Sequence, residues 1–130
     1  MYLLDTNVWI GYLKGVPPLV ARIQAEPQIF ISSISLGELY YGARKSQRVE
    51  ANLRRVEIIR NEIPCFGVDA LVAGVYGMIR ADLERQGALI GPNDLWIAAI
   101  AKAHDLVLVT RNQREFARIA GLRLDDWEQA

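Results

Sequence analysis

The chain has 130 residues, 52% of them hydrophobic and 23% charged, with 15 basic side chains matched by 15 acidic ones. That is the size of one domain able to bury its own core, and no apolar run approaches the roughly 18 residues of a membrane span. A single cysteine, Cys65, and a single histidine, His104, exclude disulfide frameworks, Cys/His zinc sites and catalysis by paired histidines, so chemistry falls to carboxylates, hydroxyls or Cys65. The N-terminus lacks the basic start, apolar centre and small-residue cleavage site of a secretory signal, which predicts a soluble cytoplasmic protein. Twelve of the 15 basic residues are Arg, a side chain suited to bidentate phosphate contacts and equally a good helix former.

In chain order, Tyr2 to Asp5 reads as a short strand and Thr6 to Leu13 as a helix. A second helix, Pro17 to Ala25, leads to a strand over Ile29 to Ser32 and to helices over Ser35 to Ala43 and Gln47 to Glu62. A third strand, Ile63 to Phe66, is followed by a helix over Asp69 to Gln86, a Gly/Pro break from Gly87 to Pro92, and an apolar helix over Asn93 to His104. The chain closes with a strand at Val107 to Thr110, a helix at Arg114 to Ala120 and a fifth strand at Leu122 to Leu124. No break is a linker, and there is no internal repeat, so residues 1–130 form one domain. Strands that alternate with helices and are apolar on both faces predict an α/β fold: a mostly parallel sheet of four or five strands with helices on each side.

In such a sheet, ligands bind beyond the carboxyl ends of the strands, and the first strand ends there on a carboxylate, Asp5. Asp5 or Thr6 could equally cap the helix that follows. Glu38 stands in SSISLGEL, where Ser35 to Glu38 fits a capping box, and Asp94 stands in the first turn of a helix that is apolar nearly all round. Beyond the fourth strand, Thr110 and Asn112 are polar without charge, and Glu115 falls where an exposed helix face is expected. His104 is placed as a helix C-cap, and Cys65, in a strand, as a buried inert thiol. Three carboxylates with no adjacent Lys or Arg at Asp5 or Asp94 would repel one another; a divalent ion that prefers oxygen ligands, Mg²⁺ or Mn²⁺, removes the conflict and could promote phosphodiester hydrolysis without histidine.

Four motifs in order, LLDTN, SxxSLGEL, GPNDLWIAA and VTRNxxEF, resemble PIN-domain ribonucleases, in particular the VapC toxins of toxin–antitoxin pairs. The resemblance spans essentially the whole chain, including IRADLERQG and GLRLDDW. It implies a PIN-domain fold in which Asp5 and Asp94 are the principal Mg²⁺ ligands and catalytic acids, with Mn²⁺ able to substitute. Glu38 would act directly or through water, and Thr6, Asn7, Thr110 and Asn112 would support the acids. Where the family often has a fourth Asp this chain has Asn112, so one firmly held ion, with a second recruited by substrate, is the expectation. The resemblance also implies cleavage of structured RNA to 5′-phosphate and 3′-hydroxyl ends. Transfer RNA, and within it the initiator tRNA anticodon loop, is the leading target, and translation would be inhibited. A VapB-type antitoxin and a homodimer are the implied partners. Trp9, Tyr12, Tyr40, Tyr41 and Arg111 are candidate substrate contacts, with core packing expected for at least two of the aromatics.

Other readings are weaker. Aspartyl-phosphate phosphatases need a second acid two residues after the first, where this chain has Asn7. No glycine-rich dinucleotide or P-loop fingerprint occurs. The alternative from another class is a PIN-like module that binds RNA or protein without cutting.

Overall fold

The computed structural model describes residues 1–128. Its sheet holds five parallel strands, β1 (Tyr2–Leu4), β2 (Ile29–Ser32), β3 (Cys65–Phe66), β4 (Val107–Val109) and β5 (Leu124–Asp125), in the order β3-β2-β1-β4-β5. Seven helices connect them among the described residues: α1 (Thr6–Leu13), α2 (Pro17–Ala25), α3 (Ser33–Arg44), α4 (Val49–Glu62), α5 (Ala70–Arg85), α6 (Pro92–Ala103) and α7 (Gln113–Phe116). β2 and β3 lie on one side of β1 and β4 and β5 on the other, so the direction of winding reverses between β1 and β4. A crevice opens at such a reversal, beyond the strand ends.

Alternation along the central strands builds two cores. Leu3 and Leu108 pack with α5 and α6 through Val72, Ile79, Leu95 and Ile100. Leu4 and Val109 point to the opposite face, where Trp9, Leu19, Val56 and Ile59 of α1, α2 and α4 cover them. Leu3, Leu4, Leu108 and Val109 are all fully buried, as strands sandwiched between helical layers require. Register follows from this pairing: Leu4 stands opposite Val109, and the next N–H, that of Asp5, donates to Val109 O at 2.9 Å.

Several element ends differ from expectation for identifiable reasons. Ile63 closes α4 by donating its N–H to Ile59 O, and Pro64 has no N–H to give a ladder, so β3 begins only at Cys65. Because β3 is the sheet edge, Cys65 is exposed rather than buried; partial burial still raises its thiol pKa, which disfavours the thiolate. The last helix is shorter than expected. After Phe116 the chain tightens into three-residue turns, with Arg118 N–H to Glu115 O and Ile119 N–H to Phe116 O, before reversing at Gly121 with φ 77°. Leu122 is drawn into that turn, and β5 starts two residues later than predicted. His104 caps α6 as expected, its N–H bound to Ile100 O and its ring stacked 4.3 Å from Phe66.

Candidate active site

At the carboxyl end of β1, Asp5 terminates the strand because its backbone leaves the ladder to start α1. It is the N-cap, with Oδ1 accepting the Thr6 N–H at 2.8 Å. Capping uses only that oxygen. Oδ2 accepts the Thr110 hydroxyl at 2.8 Å, from the end of the neighbouring strand. Thr110 is fully buried, and its Oγ1 also accepts the Asn112 N–H at 2.9 Å, so the side chain is fixed from both ends. Asp5 is only 4% exposed; burial raises its pKa, against which the hydrogen bonds from Thr110 and Thr6 act.

Glu38 is not a capping residue. The cap of α3 is Ser32, whose Oγ accepts the Ser35 N–H at 2.9 Å, so the helix begins earlier than the Ser35-to-Glu38 capping box requires. Glu38 is thereby one turn further along α3, and the Thr6 hydroxyl lies 2.7 Å from its Oε1 and 2.8 Å from Ser35 Oγ. A hydroxyl has one proton to give; it goes to the carboxylate, and the Ser35 hydroxyl donates in turn to Thr6. Thr6 therefore ties the first turn of α1 to α3.

Asp94 stands in the first turn of α6, whose N-cap is Gly91 and whose first residue is Pro92. Helices apolar on nearly every side are held by burial, and α6 has six buried residues from Leu95 to Ala101, which leaves the Asp94 carboxylate at the mouth of the crevice. Among the described residues it accepts no hydrogen bond from a side chain or cap. Burial, then the charges of Asp5, Glu115 and Glu38, push its pKa up to about 6.

These side chains line one cleft of about 340 Å³ together with Asn7 and Asn112. Glu115, expected on an exposed helix face, instead accepts the Asn112 side-chain N–H at 3.2 Å and is half-buried beside Asp94. The charge absent at Asn112 is thus supplied one turn later; an acid three residues beyond a polar strand end is the signal for it. Of the candidate substrate contacts, Trp9 is fully buried and has no face for a base. Tyr12 and Tyr40 pack against the α1–α4 core, and Tyr40 donates its hydroxyl to Glu57. Tyr41 is 66% exposed and lines the cleft, whereas Arg111 pairs with Glu128 at 3.1 Å.

The donor set is all oxygen, two carboxylates in it are raised in pKa by burial first and neighbouring negative charge second, and no basic side chain is ion-paired to Asp5, Glu38 or Asp94 among the described residues. That chemistry fits a hard divalent cation. The carboxylates are not drawn into a chelating knot: among the described residues no three of Asp, Glu, His and Cys are grouped closely enough to form a complete cage. Mg²⁺ does not need one, since it commonly takes one or two carboxylates and keeps several waters.

Comparison with known proteins agrees with this architecture. The PIN domain family matches residues 2–122. A tRNA(fMet)-specific endonuclease VapC of Shigella flexneri is 44% identical over 128 residues, covering 97% of both chains. Ribonuclease VapC2 of Haemophilus influenzae is 40% identical over 128 residues with the same coverage. Among solved structures, the DNA-bound VapBC of Salmonella typhimurium superposes with a TM-score of 0.91 at 42% identity, covering 97% of each chain.

Proposed function

Because the chain belongs to the PIN-domain family, among the VapC ribonucleases, we propose that it is a divalent-metal-dependent endoribonuclease that cuts structured RNA, with initiator tRNA as the leading target. The observation that carries this reading is the convergence of Asp5, Glu38 and Asp94, from three separate elements, on one open cleft, with none of the three ion-paired to a basic side chain among the described residues. The tRNA preference rests on the Shigella relative being a tRNA(fMet)-specific endonuclease and on similarity over nearly the full length of both chains.

Asp5 and Asp94 would hold Mg²⁺, with Mn²⁺ as substitute, and Glu38 would complete the set directly or through water. When bound, the ion would polarise the phosphodiester and make water a competent nucleophile near neutral pH. The chain's own residues do the rest. Thr110 and the Thr6 N–H fix the orientation of Asp5, Thr6 Oγ1 aims Glu38 into the cleft, and Asn112 holds Glu115 near Asp94. Attack by water rather than by the RNA 2′-hydroxyl leaves 5′-phosphate and 3′-hydroxyl ends.

An apolar groove of about 370 Å³, lined by Ile10, Leu13, Leu39 and Val56, adjoins the cleft and shares Ile10, Glu38, Gly42 and Lys45 with it. It offers a seat for the C-terminal segment of a VapB-type antitoxin, which would block the acids; the structural relative from Salmonella is such a toxin–antitoxin complex. Leu71 and Met78 of α5, 57% and 64% exposed, supply an apolar face for a homodimer. No helix among the described residues is long and apolar enough to cross a membrane, and action on tRNA, with inhibition of translation, would place the protein in the cytoplasm.

The test is incubation of the purified, antitoxin-free chain with total tRNA in Mg²⁺ or Mn²⁺, beside EDTA and Asp94→Asn controls, with fragment ends mapped. Discrete cuts bearing 5′-phosphates that vanish in both controls are expected. Intact RNA with every metal, or 2′,3′-cyclic phosphate ends, would overturn the reading; RNA binding retained without any cutting would favour the non-catalytic module.

A further inference from the structure

Tyr40 and Tyr41 are neighbours in sequence with opposite fates. Tyr40 packs on the core, while Tyr41 projects from α3 as the most exposed of the large apolar side chains among the described residues. It does so on the rim of the acidic cleft, not on a remote face. Lys45, four residues on and so one helical turn along the same face, lines the same rim. Its Nζ lies 5.0 Å from the Tyr41 ring centroid.

Lys45 is the one basic side chain lining this cleft among the described residues. It forms no ion pair with Asp5, Glu38 or Asp94, whereas Arg111 is already engaged by Glu128. A cation resting on an exposed ring is weakly held and readily exchanged for a phosphate oxygen. Asp5, Glu38 and Asp94 themselves repel RNA phosphates, so the protein's own attraction for nucleotides flanking the cut must come from groups at the rim. The exposed aromatic and the adjacent ammonium are the two groups that single-stranded RNA binding uses: a face for a base and a charge for the backbone.

We propose that Tyr41 and Lys45 form a nucleotide subsite beside the acids, in which an unpaired base stacks on the Tyr41 ring and Lys45 takes the neighbouring phosphate. The inference rests on the ribonuclease reading and deepens it. A base must leave its helix to stack there, so the segment cut is single-stranded, a loop or an end, and the stack tolerates any base.

Binding is measured with the uncleaving Asp94→Asn chain, using an unpaired RNA of about ten nucleotides and its duplex, by fluorescence anisotropy over a salt series. Tyr41→Ala should weaken single-strand binding about tenfold, within the roughly 5- to 150-fold range that one stacked base implies, and Tyr41→Phe should restore it. Lys45→Met should reduce the slope of log affinity against log salt by ~0.7. In the active chain with tRNA, Tyr41→Ala should raise KM by a similar factor and leave kcat unchanged.

Equal single-strand affinity in all variants, or equal loss for duplex and single strand, overturns the subsite. So does a loss confined to an antitoxin C-terminal peptide, which would assign the pair to protein docking. If the unmodified chain cuts tRNA and Tyr41→Ala keeps its KM, the subsite alone fails. If it neither cuts nor binds RNA, the ribonuclease reading fails with it.

Discussion

Asp5 and Asp94 both stand where a helix begins, line the same cleft and are held in opposite ways. The β1–α1 junction grips Asp5: each carboxylate oxygen has a donor, and the side chain is 4% exposed. The start of α6 leaves Asp94 half-buried with no such donor among the described residues, surrounded by like charge and with its pKa pushed up to about 6. One acid is positioned by the fold through its hydrogen bonds; the other is destabilised as an anion by burial and by the like charges around it. An apolar helix such as α6 can carry that penalty because its stability comes from burial of Leu95, Ile97 and Ile100 and not from its first turn.

The largest effects should come from the charges themselves. Asp5→Asn or Asp94→Asn should abolish detectable RNA cleavage, and residual activity in either would separate the two acids' roles. Next, Thr110→Val removes the donor to Asp5 Oδ2 without changing side-chain shape greatly. Loss of such a supporting hydrogen bond should lower metal affinity or activity by about 10–100-fold, measured as the Mg²⁺ concentration for half-maximal cleavage. If Thr110→Val cleaves normally, Asp5 is not positioned in the way the contact implies.

The Asp94 penalty should show in the pH dependence of stability. The folded-state pKa of Asp94, about 6, lies above its ordinary 3.8, so the folded chain holds this proton more tightly than the unfolded chain does. Its contribution is most favourable below pH 4, declines as pH rises towards 6, and is a full penalty above it. In EDTA, Asp94→Asn should therefore melt higher than the unmodified chain at pH 7.5 and equally at pH 3.5. After allowance for solvent screening the difference should be about 1 kcal/mol, or ~3–5 °C. Mg²⁺ should raise the melting temperature of the unmodified chain and not of Asp94→Asn.

The smallest effect is expected from Glu115→Gln. Removing this neighbour should move the Asp94 titration downward, measurable by NMR of the carboxyl carbon, while cleavage at neutral pH changes little. An unmoved titration would show that Glu115 and Asp94 do not sense each other's charge.

Much of this was legible in the residues because it is local. Periodicity, proline positions and strand-end polarity place α1, α2 and β2 with the ends found in the structure, and put Asp5, Glu38 and Asp94 after strands or in early helical turns. Errors arose where a local pattern had two solutions. Ser32 and Ser35 can each cap a helix; only docking of α3 against Thr6 selects Ser32 and frees Glu38. Cys65 follows a strand pattern in a strand that lies at the sheet edge, and edge position is not written in the four residues Ile63 to Phe66.

By itself, the sequence determined the alternation of strands and helices, the two-sided burial of the sheet and the set of acids, since each depends on residue type and spacing along a few turns. Tertiary structure alone decided that Thr110, 105 residues away, holds Asp5, that Glu115 joins the acidic group, and that Tyr41 faces the cleft while Tyr40 faces the core. Those outcomes depend on strand order and helix rotation, which are set by packing of the whole domain and leave no signature in a short window of sequence.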